Sequence, residues 1–251
     1  MKLSSLKINW NSNSMASLKD DRGYNQGFRP SKALNIRTQR RCDYIISQMD
    51  DANNPAEILE IGCGTGELSF MLATKTQKKV LGTDLCVPFI AEAKNRYKLP
   101  NLSYIVVDFN FPEQLAERKF DFIVGNGILH HLYCNIDKAL INIKKLLKPN
   151  GKIVFLEPNL YNPYCYLIFH TTSFFRRWAR LEPGEMALTK GEMQKVLQIA
   201  GYQSIKIEYK DFLLPNTPDF LINPIIALGK VLERVPGINF LSQSIFISAI
   251  K

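Results

Sequence analysis

The chain has 251 residues, 46% of them apolar and 22% charged, a balance that excludes disorder of the whole and suits one large domain or two small ones. A chain of this length buries roughly 70–75% of its unfolded surface, so neither disulfides nor a structural metal is needed for stability. The formal charge of +9 is spread, with 9 basic against 5 acidic residues in 1–55, 13 against 11 in 56–159 and 10 against 7 in 160–251; a dedicated nucleic-acid binder gathers its charge on one face or arm, so nucleic acid is not the expected partner.

In chain order, the first thirteen residues carry Lys2 and Lys7 but no apolar run of the kind an export signal needs. Further on, Tyr24 to Pro30 and a helix expected over 31–49 read as a lid, with Tyr24 and Arg29 nearest the ligand it would cover, behind a loosely ordered tail up to about residue 15. Residues 1–55 are thus an N-terminal extension and 56–251 the main domain. From Glu57 onward, short apolar or β-branched runs alternate with helical patterns, the sign of βα units and a parallel sheet. Strands are expected at 57–61, 79–83, 102–107, 120–124 and 152–157, then at 204–209 and 244–250, seven in all.

Before the fifth strand, Ile136, Ala139, Leu140, Ile143, Leu146 and Leu147 form one stripe of a 3.6-residue period, and Pro149-Asn150-Gly151 suits a turn. After that strand, Tyr164, Leu167, Ile168, Thr171, Phe174, Phe175 and Trp178 keep helical spacing, with Arg176, Arg177 and Arg180 beside them. Packing on the sheet, an aromatic lid and a membrane-surface face all fit this pattern. Thr189 to Glu192 has capping-box spacing, and Gly201 closes the helix that follows. The connector from Lys210 to Gln243 is rich in apolar side chains, but its stretch 212–232 is broken by Pro215, Pro218, Asp219, Pro224 and Lys230, so no membrane span is expected. Five scattered cysteines, Cys42, Cys63, Cys86, Cys134 and Cys165, contain no C-x-x-C pair. They point to a reducing compartment, without a disulfide framework or a metal site. The expected location is the cytoplasm, with peripheral contact at a membrane surface left open.

The chemistry concentrates at strand ends. The first strand runs into Ile58-Leu59-Glu60-Ile61-Gly62-Cys63-Gly64-Thr65-Gly66-Glu67, a glycine turn that lets backbone approach a ligand at the start of a helix. The spacing is neither G-x-G-x-x-G nor a P-loop, and with Glu67 present and no lysine, a cofactor without phosphates fits better. The second strand ends in Asp84, placed to accept from two vicinal ribose hydroxyls; the third ends in Asp108-Phe109, an acceptor for an exocyclic amine beside an aromatic ring. The fourth ends in Asn126-Gly127, followed by Ile128-Leu129-His130-His131-Leu132.

With ILEIGCGTG, GTD, VVDF, FDFIVGNGILHHL and LLKPNGKIVFLEP in this order, residues 57–158 resemble a class I S-adenosylmethionine-dependent methyltransferase. The resemblance implies an α/β fold with a doubly wound, mostly parallel seven-stranded sheet of order 3-2-1-4-5-7-6 and an antiparallel last strand. Around that core it leaves the N-terminal helical lid and two acceptor-side insertions, at about 160–188 and 210–243. It implies S-adenosyl-L-methionine as cofactor. Gly62 and Gly64 would lie against the methionine and ribose, with Glu60 orienting the turn or the amino group. Asp84 would hold the ribose hydroxyls, Leu85 would pack on the adenine, Asp108 would accept from the adenine amine beside Phe109, and Asn126 would help hold the methionyl ammonium. His130 or His131 could take a proton from the acceptor, an alternative being that they orient the loop.

No Asn-Pro-Pro-Tyr/Phe signature follows the fourth strand, which disfavours methylation of base or glutamine amides. The expected activity is methyl transfer to oxygen or carbon of a small lipophilic acceptor, because both insertions are apolar and aromatic. Two other readings are weighed against it. A methyltransferase acting on RNA or protein would show a continuous basic surface at the cofactor mouth, and the intact glycine turn and Asp84 speak against a cofactor-binding fold that has lost turnover and serves as a regulatory or scaffolding partner. Oligomeric state is not legible.

Overall fold

The structure is a computed structural model that describes residues 31–49, 56–110, 112–179, 181–182 and 184–251; Tyr24, Arg29 and the rest of the lid before residue 31 lie outside them. Seven strands form one sheet: β1 (Glu57–Ile61), β2 (Lys79–Asp84), β3 (Leu102–Val106), β4 (Phe120–Asn126), β5 (Leu147–Pro158), β6 (Gln203–Lys210) and β7 (Ser244–Ile250). Their order is β3-β2-β1-β4-β5-β7-β6, with β7 antiparallel to both neighbours and all other pairs parallel. The expected topology is the one observed. Among the described residues, seven helices of α type accompany the sheet: α1 (Lys32–Ser47), α2 (Glu67–Thr76), α3 (Val87–Arg96), α4 (Ile136–Leu146), α5 (Pro163–Phe169), α6 (Lys190–Ile199) and α7 (Asp219–Leu232).

Successive strand residues point to opposite faces, and β1 uses both. Ile58 packs in a core with Cys42 and Ile45 of α1 and Leu68, Met71 and Leu72 of α2. Leu59 packs in the opposite core with Leu140 and Ile143 of α4 and Met193 and Leu197 of α6. β7 does the same, sending Ile245, Ile247 and Ala249 to one side and Phe246 to the other. This is why its run of apolar residues is nearly continuous. The predicted stripe of α4 is buried at Ala139, Leu140, Ile143 and Leu146. The capping box at Thr189 and Glu192 is present, and Gly201 takes φ +77 after α6.

Two expectations change. Pro149-Asn150-Gly151 does not separate helix from strand: β5 begins at Leu147, which pairs with Phe120, and the three residues bulge from the ladder, with Asn150 at φ 60 and a register shift opposite. The 164–178 pattern is not one helix. His170 leaves helical conformation at ψ 134 and ends α5, and Ser173 then caps a separate 3-10 turn, Phe174–Trp178, by accepting from the Phe175 N–H. Two adjacent β-branched threonines, Thr171 and Thr172, lie in the break, where helix continuation is disfavoured. Phe174, Phe175 and Trp178 consequently do not pack on the sheet and are 55–71% exposed. No described helix is long and apolar enough to cross a membrane. None of the five cysteines is in a disulfide, and Cys134 is exposed while the other four are buried.

Candidate active site

All the predicted site residues fall at the C-terminal ends of β1 to β4 or in the loops just beyond, where open α/β sheets bind ligands. In the turn after β1, Gly62, Gly64 and Gly66 have φ of +69, +53 and +88. A Cβ on Gly62 would lie 2.7 Å from the Ile128 side chain, and one on Gly66 would lie 2.6 Å from the Tyr104 hydroxyl. A Cβ on Gly64 would meet nothing within 4 Å, so this glycine opens onto free space. Asp84 stands directly across: one carboxylate oxygen accepts from the Gly64 N–H at 2.8 Å, the other from the Cys86 N–H at 2.9 Å. Beside it Leu85 is 40% exposed. Glu67 is held by Thr65 and by Arg96 at 3.2 Å, so a phosphate in this turn would face a carboxylate. An open glycine, a strand-tip carboxylate and an exposed leucine together fit a nucleoside cofactor without phosphates.

Asp108 is half-buried and caps its own turn, accepting from the backbone and side-chain nitrogens of Asn110 at 2.8 and 2.9 Å. Phe109 departs from the expectation. It is 6% exposed and packs in the core with Leu115 and Phe120, because its side chain points to the sheet side of the loop. Glu60 is 1% exposed and accepts a short hydrogen bond from the Ser69 hydroxyl of α2, which ties the end of β1 to the start of that helix. Burial pushes its carboxyl up to about 8, Ser69 opposing and the charges of Glu67 and Asp84 adding.

The folded protein therefore keeps a proton on Glu60 that the unfolded chain releases above the ordinary carboxylate range. Stability is full below that range and falls as pH rises toward 8. In thermal melts, Glu60→Gln should match the wild type near pH 5 and exceed it by about 1–3 kcal/mol at pH 9. Equal pH dependence in the two proteins would contradict this placement.

Beyond β4 the chain enters a 3-10 turn, Leu129–Asn135. The N–H groups at the start of such a turn have no internal partners, and Glu157, at the end of β5 and fully buried, supplies them. Its Oε1 accepts from the Ile128 and Leu129 N–H groups at 3.0 and 2.9 Å, and its Oε2 from the His130 N–H at 3.3 Å. The same Oε2 accepts from His130 Nδ1 at 2.9 Å, which leaves Nε2 as the outward ring nitrogen, 3.5 Å from Glu185 Oε1. Burial alone would lower the His130 pKa, but the bonds to Glu157 and Glu185 raise it to about 9. Glu185 is affected in the opposite sense: burial works to raise it, while His130 and His131 hold it below the ordinary carboxylate range.

His131 Nδ1 is buried without a hydrogen-bond partner, 3.6 and 3.7 Å from Glu182 and Glu185. His130, His131 and Glu185 bring three ligand-type atoms within 4.8 Å of one another.

These groups form one wall of a cavity of about 530 Å³ whose other sides are Asn126 and Gly127, Arg37 and Arg41 of α1, and the apolar Leu34, Tyr164, Ile168, Phe169, Phe175 and Trp178. The cavity thus joins the cofactor side, at Asn126, to both the N-terminal helix and the first insertion. Of the residues in this wall, His130, His131 and Asn126 stand in the motifs, whereas Glu185, Arg37 and Arg41 lie outside them, and Glu157 stands inside LEP.

Strand order, glycine turn and strand-tip carboxylate define the class: the chain has the class I S-adenosylmethionine-dependent methyltransferase fold, and S-adenosylmethionine is the cofactor of that class. Residues 59–153 match the family model described as a methyltransferase domain. Over 219 residues the chain is 27% identical to a non-reducing polyketide synthase, pks11, of Talaromyces marneffei, covering 82% of this chain and 8% of that protein. It therefore spans only a small part of the length of such relatives. Among solved structures, a SAM-dependent methyltransferase from Archaeoglobus fulgidus superposes with TM-score 0.61 at 18% identity, covering 89% of this chain and 96% of that one. The CurJ carbon methyltransferase does so with 0.58 at 18%, covering 88% and 55%.

Proposed function

We propose that the chain transfers the methyl group of S-adenosylmethionine to a small lipophilic acceptor, at a carbon next to a carbonyl, with His130 taking the proton that must leave. The observation that carries this reading is the His130–Glu157 pair in the wall of the cavity. S-adenosylmethionine supplies, when bound, a methyl group already activated by a cationic sulfur. A base is therefore needed only where the acceptor keeps a proton, as an acidic C–H or O–H does.

Glu157 fixes the tautomer by accepting from Nδ1–H, so the proton-accepting atom is Nε2, on the cavity side. Glu185 stabilises the protonated ring that results. The apolar walls hold the acceptor against Asn126, where alignment contributes most of the rate. Carbon is our choice over oxygen because an acidic C–H keeps its proton until a base removes it, and a carbon methyltransferase, CurJ, is among the proteins that share this fold.

The size and apolar lining of the cavity give a test of acceptor class. In a series of 3-oxoacyl thioesters from four to twelve carbons, kcat/KM should rise by up to about fourfold per methylene, the equivalent of about 0.8 kcal/mol per buried CH2, until the cavity is full. Trp178→Ser should flatten the slope at its long end. A flat series in the wild type would remove the lipophilic preference.

A further inference from the structure

Helix α1 carries three arginines on adjoining positions of one side, Arg37, Arg40 and Arg41, and one carboxylate serves them all. Asp211 Oδ2 accepts from Arg37 Nε at 2.9 Å and from Arg41 Nε at 3.4 Å, and Oδ1 accepts from Arg40 Nη1 at 3.1 Å. Arg37 and Arg41 are each 5% exposed and Asp211 is 3% exposed. Their remaining bonds go to neutral groups: both meet Gln243 Oε1 and the Ser244 hydroxyl, and Arg41 Nη1 makes a short bond to Asn126 Oδ1. Glu157 adds a more distant negative charge, but its own oxygens are occupied by three backbone N–H groups and His130.

The cluster is built rather than incidental. Asp211 sits at φ +68, a left-handed conformation that costs a non-glycine residue of order 1 kcal/mol or more and persists only where surroundings enforce it. Here they do: the Asp211 N–H donates to Glu233, its C=O accepts from Gln243, and Oδ1 also accepts from the Leu213 N–H. The outcome is three guanidinium groups around one carboxylate, two of them buried in a cavity wall. Burial together with the charge of Arg37 lowers Arg41 to about 9, despite Asp211. Positive charge left uncompensated in such a place favours entry of an anion. A planar guanidinium fork matches a carboxylate bidentately.

We infer that Arg37 and Arg41 form a carboxylate-binding clamp in the wall of the cavity, the Arg41–Asn126 bond being exchanged for the ligand when it enters. Two ligands of the proposed reaction could bring that group: the methionyl end of the cofactor, next to Asn126, or an acidic head on the lipophilic acceptor. The inference rests on the proposed methyl transfer for the identity of these ligands, not for the clamp itself.

Calorimetry tests both sources. In the first arm, wild type, Arg41→Gln and Arg41→Lys are titrated with S-adenosylmethionine and with its decarboxylated analogue. In the second, wild type, Arg37→Gln and Arg37→Lys, saturated with S-adenosylhomocysteine, are titrated with dodecanoate and with methyl dodecanoate. The clamp predicts at least a tenfold preference for the carboxylate in one arm or both. That preference should fall below threefold in the glutamine variant, with the affinity for the carboxylate-free partner changed less than the affinity for the carboxylate, and the lysine variant should lie between. The arm in which the preference is found names the source. If the wild type binds neither adenosyl ligand, the methyltransferase reading falls, and the second arm run without S-adenosylhomocysteine still decides the clamp. Equal binding of the carboxylate and the carboxylate-free analogue in both arms, or a preference that survives in both glutamine variants, overturns it.

Discussion

His130→Asn should lower kcat for a 3-oxo thioester acceptor by about 10²–10⁴, the usual contribution of a positioned acid or base, while leaving the affinity for S-adenosylmethionine within about threefold. Asparagine can still donate to Glu157 from the position of Nδ1, so the loop that depends on Glu157 keeps its anchor and the variant loses only Nε2. The pH dependence carries a second signature. A base whose pKa is about 9 is mostly protonated at neutral pH, so the wild-type rate should rise about tenfold per pH unit below that value and level off above it. Glu185→Gln removes one of the two carboxylates that raise His130, and should move the bend to lower pH. The stability supplied by the His130 ion pairs runs the other way. It is complete below the ordinary histidine range and is lost as pH rises through about 9. A kcat within fivefold of wild type in His130→Asn would assign the pair a purely structural role.

Asp84→Ala should weaken S-adenosylmethionine binding by about 2–4 kcal/mol, since hydrogen bonds to a charged acceptor contribute roughly 1.5–3 kcal/mol each before water replaces part of them. The structure adds a reason for an effect toward the upper end. The same carboxylate accepts from Gly64 N–H and Cys86 N–H, so its loss also frees the glycine turn and the entry to α3. Asp84→Asn separates the two contributions: an amide oxygen can still accept from one backbone N–H, so the turn is partly held while the charge is gone. Its affinity should fall between wild type and alanine. The effect should be confined to the cofactor, with acceptor KM changed less than threefold at saturating S-adenosylmethionine.

The sheet was legible because each of its strands carries its own apolar run, and because the α4 stripe and the capping box at Thr189 and Glu192 are local signals. The residues expected to face the cofactor lie in short motifs for a related reason: Gly62, Gly64, Asp84 and Asn126 stand within a few residues of strand ends. Other residues of the cavity wall do not. Glu185 faces His130 across 55 positions, and Arg37 and Arg41 meet Asp211 across 174 and 170, distances in sequence that no local spacing encodes. The 164–178 stripe misled for the opposite reason: its helical period is real, but His170, Thr171 and Thr172 interrupt the backbone that would express it. Phe109 shows the same limit at the scale of one residue, since a motif gives the position of a ring and not the side to which it points.

A calorimetric titration of the wild type and of Asp84→Ala with S-adenosylmethionine reaches the center of this account without requiring the acceptor. One ligand should bind per chain of wild type, and in the variant the affinity should fall roughly thirty- to a thousandfold, the equivalent of about 2–4 kcal/mol, with the melting curve still cooperative. No binding to the wild type, or equal affinity in a folded Asp84→Ala protein, would contradict a cofactor site at the tips of β1 and β2.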